Sequence, residues 1–167
     1  ARQRLVGQLR GEVTRMGKLV QELLDLASYD RGIVLDHRQI DVAAILRDVA
    51  DQVRLLGPTH RIIDEAPARL LIAGDADRIR QLLLILADNA VHHTEAGQDV
   101  HLAAAREGQE LVLRVSDSGA GIAAEALPHI FERFYRADKV RARAGGHAGL
   151  GLAIARGIVE AHAGTIT

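Results

Sequence analysis

Apolar residues recur at steps of three and four through the first stretch of the chain: Leu5, Leu9, Val13, Met16, Val20, Leu23 and Ala27. Arg10, Glu12, Arg15, Lys18, Gln21 and Asp25 fill the intervals. That period predicts one amphipathic helix over residues 1–30. Gly7, Gly11 and Gly17 weaken it, each by about 1 kcal/mol against alanine. A stripe of this length needs a surface to lie against, either the segment that follows or a helix from a second chain. Its persistence ahead of an apparently complete domain core favours a helical bundle.

The pattern changes after Asp30. Residues 29–41, "YDRGIVLDHRQID", hold a turn and a short extended stretch, and Asp41 is placed to cap a helix over 42–56 that Gly57-Pro58 stops. Short strands are expected at 60–63 and 70–72, on either side of Ala66-Pro67. Gly74 or Asp75 opens a strongly apolar helix over 76–93. A hairpin follows, 100–105 and 110–116, turning at Glu107-Gly108-Gln109. A short helix at 123–131, an irregular basic stretch to Gly146 and a last helix over 150–161 complete the chain. The expected fold class is α/β (α+β): a two-layer sandwich, a mixed sheet with helices on one face, behind an N-terminal helical arm.

Composition narrows the function classes. With 48% hydrophobic residues among 167, the chain can bury a real core. A net charge of −1 and 2% aromatic residues argue against nucleic acid, which needs a basic surface or stacking platforms. The absence of cysteine excludes disulfides, thiolate zinc sites and cysteine nucleophiles, and fits a cytoplasmic setting. The longest apolar run, 82–87, is too short to span a bilayer, and no signal peptide is visible.

Four stretches carry candidate chemistry. "SDSGAGI" (116–122) leaves an apolar strand through an acid and two glycines, which taken alone is a turn. "LADNAVHHT" (86–94) ends the apolar helix, and "IFERFYRAD" (130–138) follows the expected short helix. "GGHAGLGLAIARGIVEAHAG" (145–164) is a glycine-rich loop feeding into a helix, a pattern that brings backbone N–H groups and the helix dipole to phosphate oxygens. It is neither a Walker loop nor a dinucleotide fingerprint, lacking the lysine and the preceding strand. His92 and His93 adjoin, but no third ligand sits at zinc spacing.

In their order these stretches resemble the catalytic, ATP-binding domain of sensor histidine kinases, in the wider superfamily with gyrase and the MutL mismatch-repair ATPases, whose ATP-binding fold is of the Bergerat type. "DNAVHHT" resembles the asparagine box, "DSGAGI" the first glycine box, "FERF" the phenylalanine box and "GLGLAI" the second glycine box. "RMGKLVQELLDLASYDRG" (15–32) resembles the second helix of the dimerisation and phosphotransfer domain. The resemblance divides the chain into 1–32, part of that domain, and 33–167, the catalytic domain, which in the family continues into a final strand beyond "HAGTIT".

The resemblance implies ATP and Mg²⁺ as cofactors. Asn89 would be the metal ligand, bridging to the phosphates, and Asp117 would accept a hydrogen bond from the adenine amine. Gly119, Gly121 and Ile122 would pass beside the base, while Gly149, Leu150, Gly151 and Leu152 border the triphosphate. His92, His93, Arg136 and Lys139 are the candidate phosphate donors, His92 with a charge that depends on pH. Phe131 and Phe134 would pack a lid spanning 136–148. The implied partners are a response regulator and a second copy through the N-terminal helix, with membrane contact only through segments outside these residues. The implied location is the cytoplasmic portion of a membrane-anchored sensor.

Several positions depart from the family. Its usual asparagine four residues before the metal ligand is Ile85 here, its lysine and tyrosine are His92 and His93, and the second glycine box carries an extra residue within 146–149. These departures bear on catalytic efficiency more than on fold. None of the eight histidines is followed by Asp or Glu, as the family's phosphoacceptor usually is. The chain alone is therefore not expected to autophosphorylate. A nucleotide-binding or dimerising module with little catalysis is the alternative that the departures favour. An ATP-hydrolysing machine is disfavoured because Ile85 cannot act as a water-activating base. A serine kinase acting on an anti-sigma antagonist is disfavoured by the helix at 15–32.

Overall fold

The computed structural model describes residues 2–30, 32, 34–56, 59–136 and 148–167. In chain order they form α1 (Arg2–Asp30), β1 (Arg38–Asp41), α2 (Val42–Leu56), β2 (Arg61–Glu65), β3 (Leu71–Gly74), α3 (Ala76–His93), β4 (Asp99–Glu107), β5 (Glu110–Asp117) and α4 (Gly151–Ala161). Two helix starts follow directly from acidic caps. The Asp41 carboxylate accepts the Ala43 N–H at 3.2 Å and, across the fold, the Leu70 N–H at 3.0 Å. Asp75 accepts from Asp77 and Arg78 at 3.1 and 3.2 Å and starts α3.

The mixed sheet is β2-β4-β5, with β2 parallel to β4 and β4 antiparallel to β5. β1 and β3 form a separate antiparallel ribbon rather than joining it. Val100, Leu102 and Ala104 of β4 are buried while His101 and Ala103 are half-buried, the period-two pattern of a sheet with one covered face. α2 and α3 cover that face through Leu46, Val49 and Leu83, all fully buried. A second apolar cluster joins Leu26 of α1, Leu82 of α3, and Leu150, Ile154 and Ile158 at α4. Neighbouring leucines of α3 thus serve two cores, making α3 the common wall of the domain.

Among the described side chains of α1, those near its C-terminal end are docked. Val13, Met16 and Val20 are 68%, 64% and 56% exposed, whereas Asp25 and Leu26 are buried. Asp25 accepts from Gln81 of α3 at 2.7 Å, and the Tyr29 ring lies so near Gly157 that an added Cβ would sit 3.0 Å from its Cγ. Among the described residues no helix is long and apolar enough to cross a membrane.

The expected helix at 123–131 does not form. In its place are turns and a single 3₁₀ turn, Leu127–His129, with Pro128 at its start. Proline has no N–H to continue an α-helical ladder through that point. The strands at 60–63 and 70–72 are also displaced or longer than expected, because pairing with β4 and β1 sets their limits.

Candidate functional site

Ile85, Asn89 and His93 follow one another at four-residue steps and share a face of α3. Each end of this row meets one glycine stretch. An added Cβ at Gly151, the first residue of α4, would lie 3.3 Å from Ile85 Cγ2. At the other end, an added Cβ at Gly119 would lie 2.4 Å from the His93 carbonyl oxygen. Asn89 lies between the two contacts, about 6 Å along the helix axis from each. It is half-buried, and its carboxamide has no hydrogen-bond partner among the described residues.

The end next to His93 is built from the exit of β5. Asp117 is exposed, and its Oδ1 accepts the Gly119 N–H at 2.8 Å, which fixes the carboxylate's direction. The Ser118 N–H donates to the Asp99 carbonyl at 3.2 Å and holds the turn to β4. Gly121 has φ 74°, where any other residue is strained, and Ile122 is 48% exposed beside it.

The end next to Ile85 is built from the entry to α4. Gly149 has φ 74°, and an added Cβ would lie 2.7 Å from the Tyr135 carbonyl oxygen and 3.2 Å from Arg136 Cγ. Its carbonyl accepts the Phe134 N–H at 2.9 Å. Leu150 is fully buried and anchors the helix start, with Leu152 half-buried in the first turn. Among the described residues no side chain caps α4 at Leu150, and a helix start of this kind can offer its first-turn N–H groups to an anion.

The remaining expected site residues separate. Arg136 is half-buried with its stem against Gly149, while Lys139 and 137–147 of the expected lid lie outside the described residues. His92 and His93 are exposed, their rings edge-on at 5.2 Å. Phe131 is half-buried and lines a cleft of about 700 Å³ with Leu26 and Tyr29 of α1 and with Ala153 and Gly157 of α4. The lid that Phe134 is expected to pack falls mostly outside the described residues. The Phe134 backbone is left-handed at φ 62°, and the residue is 61% exposed.

Sequence reasoning missed what holds α3 in place. His60 Nε2 meets the Thr94 carbonyl at 3.1 Å, and Thr94 Oγ1 donates to the Ala90 carbonyl at 2.7 Å. At the start of α3, burial pushes the Asp75 carboxyl up, but the N–H groups of Asp36, Arg78 and Asp77 outweigh it and hold the group below its usual range. Thr94 closes a motif visible in the sequence; His60 carries no local signal.

Residues 74–167 match a family described as histidine kinase-, DNA gyrase B-, and HSP90-like ATPase. Across 97% of its length the chain is 37% identical to the probable sensor histidine kinase TcrY of Mycobacterium tuberculosis. It is 37% identical over 92% of its length to the sensor histidine kinase YkoH of Bacillus subtilis. The chain spans 34% of each of these relatives, about a third of their length. Full-length ShkA in complex with AMPPNP aligns over 96% of this chain and 34% of that one, with a TM-score of 0.80 and 34% identity. The Acinetobacter baumannii histidine kinase AdeS aligns over 94% of this chain and 73% of that one, with a TM-score of 0.74 and 25% identity.

Proposed function

The chain belongs to the histidine kinase-, DNA gyrase B- and HSP90-like ATPase family, and on that premise we propose that it is the catalytic, ATP-binding region of a sensor histidine kinase. The observation that carries this reading is the row on α3, which sets Asn89 midway between the turn bearing Asp117 and the glycine entry to α4. A nucleotide lying along that row has its base at Asp117 and its phosphates at α4. Asp117 accepts the adenine amine with an orientation that Gly119 fixes. The uncapped first turn of α4 and Arg136 receive phosphate oxygens.

The donor set also suits magnesium, which takes oxygen ligands and is commonly held by few protein groups together with phosphates. The Asn89 carboxamide offers one such oxygen, and among the described residues no cluster of three or more His, Asp or Glu side chains competes for the ion. When bound, magnesium neutralises phosphate charge; the protein's part is placement, the main source of catalysis in phosphoryl transfer. The γ-phosphoryl group passes to a histidine outside residues 1–167, for relay to a response-regulator aspartate.

Residues 1–32 belong, in this proposal, to a dimerisation and phosphotransfer unit and 33–167 to the catalytic domain. The exposed stripe of Val13, Met16 and Val20 is the surface for a second copy. Membrane anchoring of a longer parent would lie outside these residues and leave this region in the cytoplasm.

The test is transfer of γ-labelled phosphate from Mg-ATP to a supplied phosphoacceptor helix. Labelling of that helix by the wild type, and its loss in Asn89→Ala, is the expected result. The second reading, a nucleotide-binding or dimerising module with little catalysis, is favoured by Ile85, which sets an apolar group against Gly151 at the phosphate end. Binding of Mg-ATP with no labelling would select it.

A further inference from the structure

The two glycines of "DSGAGI" answer different constraints. At Gly121 the backbone is left-handed, and an added Cβ would meet nothing within 4 Å. Gly119 is not among the positive-φ residues, so its conformation does not require glycine. Its constraint is contact: an added Cβ would lie 2.4 Å from the His93 oxygen, 3.2 Å from the His93 carbonyl carbon and 2.7 Å from Asp117 Oδ1. The sequence suggests that this glycine leaves room for a bound base, but protein backbone takes up the space.

Neither obstacle yields easily. The His93 carbonyl ends α3, and the next carbonyl, on Thr94, is held by His60 at 3.1 Å. Thr94 is buried and tied back to Ala90 at 2.7 Å. The Asp117 oxygen is held by Gly119's own N–H at 2.8 Å. One glycine therefore seats the exit of β5 on the last turn of α3, a turn beyond Asn89.

We infer that Gly119 is a positioning residue that sets the spacing between the base-reading carboxylate of Asp117 and the phosphate-end carboxamide of Asn89. The inference rests on the ATP reading above. A Cβ at this position forces the β5 exit away from α3 or turns the Asp117 carboxylate. A ligand spanning both ends then loses more than one held at the base end alone. If Gly119 merely left room for the base, both ligands would lose the same factor.

The experiment compares the dissociation constants of adenosine and a non-hydrolysable Mg-ATP analogue for wild type, Gly119→Ala and Gly121→Ala. The readout is their ratio, which measures what the triphosphate adds. In Gly119→Ala the ratio is expected to fall about tenfold, within the range of coupling between contacting groups. In Gly121→Ala both ligands weaken together and the ratio stays put. Amide hydrogen exchange over residues 90–94 is expected to rise in the ligand-free Gly119→Ala protein and not in Gly121→Ala.

An unchanged ratio in Gly119→Ala, or undisturbed exchange at the end of α3, overturns the inference. Should that variant fail to fold, His60→Ala loosens the end of α3 from the other side. Its ratio is expected to fall about threefold with adenosine affinity unchanged, and a constant ratio contradicts the inference. Asp117→Ala separates the two levels. If it binds ATP as the wild type does, the ATP reading fails and the inference with it. If it loses ATP while the Gly119→Ala ratio holds, only the inference fails.

Discussion

The exit of β5 and the entry of α4 both turn on glycine beside α3, yet in the proposed ATP site they would present different chemistry to a nucleotide. At the β5 exit the proposed recognition group is a side chain, Asp117, aimed by a local bond to Gly119 and exposed beyond it. At the α4 entry the donors are backbone N–H groups, and Gly149 is confined by both its φ of 74° and the Tyr135 oxygen. On the proposed reading, the first end would read chemical identity through one carboxylate. The second would recognise charge through the shape of the chain, which tolerates changes in side chain but not in backbone. Substitutions at the two ends should therefore fail in different ways.

The largest effect is expected at Gly149. Gly149→Ala meets a strained φ and a backbone oxygen together, so a loss of about 2 kcal/mol in stability and of more than about thirtyfold in Mg-ATP affinity is predicted. Thermal melts and calorimetry check it, and near-wild-type behaviour would remove the constraint from the phosphate end. Asn89→Ala is expected to weaken the Mg-ATP analogue about tenfold and to make the residual binding insensitive to chelator. Adenosine affinity should not change, because the base end is intact. Equal losses for both ligands would place Asn89 elsewhere in the site.

A third substitution reaches α3 from its far end. Asp75→Ala removes the N-cap and should cost about 1 kcal/mol in urea melts. Because the folded carboxyl is held below its ordinary value, its stabilisation is fully present above the unfolded pKa of about 4. It is lost as pH falls through the lower folded value. The gap between wild type and variant should thus stay constant from about pH 7 to pH 5 and close on further acidification. A gap that widens in acid would contradict the cap's ionised state. The smallest effect is expected for Ile85→Asn, which exchanges an apolar contact on Gly151 for a polar one. Adenosine affinity should be unchanged and Mg-ATP affinity altered by less than about threefold.

The limits of α3 were legible because both are written in neighbouring residues. Asp75 supplies the cap, and Ile79, Leu82, Leu83, Ala87 and Ala90 at helical spacing supply the buried face. β4 and β5 were legible through alternation and a glycine turn, whereas the extent of β2 depends on pairing such as Ile62 with Val100, which no local pattern announces. The helix expected at 123–131 gave way to turns because Pro128 removed a donor from its interior. In the candidate site, the motifs singled out Asn89, Asp117 and Gly149 as proposed site residues by their order along the chain. They did not reveal why Gly119 must be glycine, since its obstacle is a carbonyl from another element. Nor does anything local mark Phe134 for a left-handed backbone with an exposed ring.

The central claim is that one adenine nucleotide lies along α3 from Asp117 to the entry of α4. Its most direct test is a calorimetric titration of a non-hydrolysable Mg-ATP analogue into the wild type and Asp117→Ala. The account predicts micromolar-range binding to the wild type and a loss of at least about a hundredfold in the variant. No binding to the wild type, or equal affinity in both proteins, would contradict it.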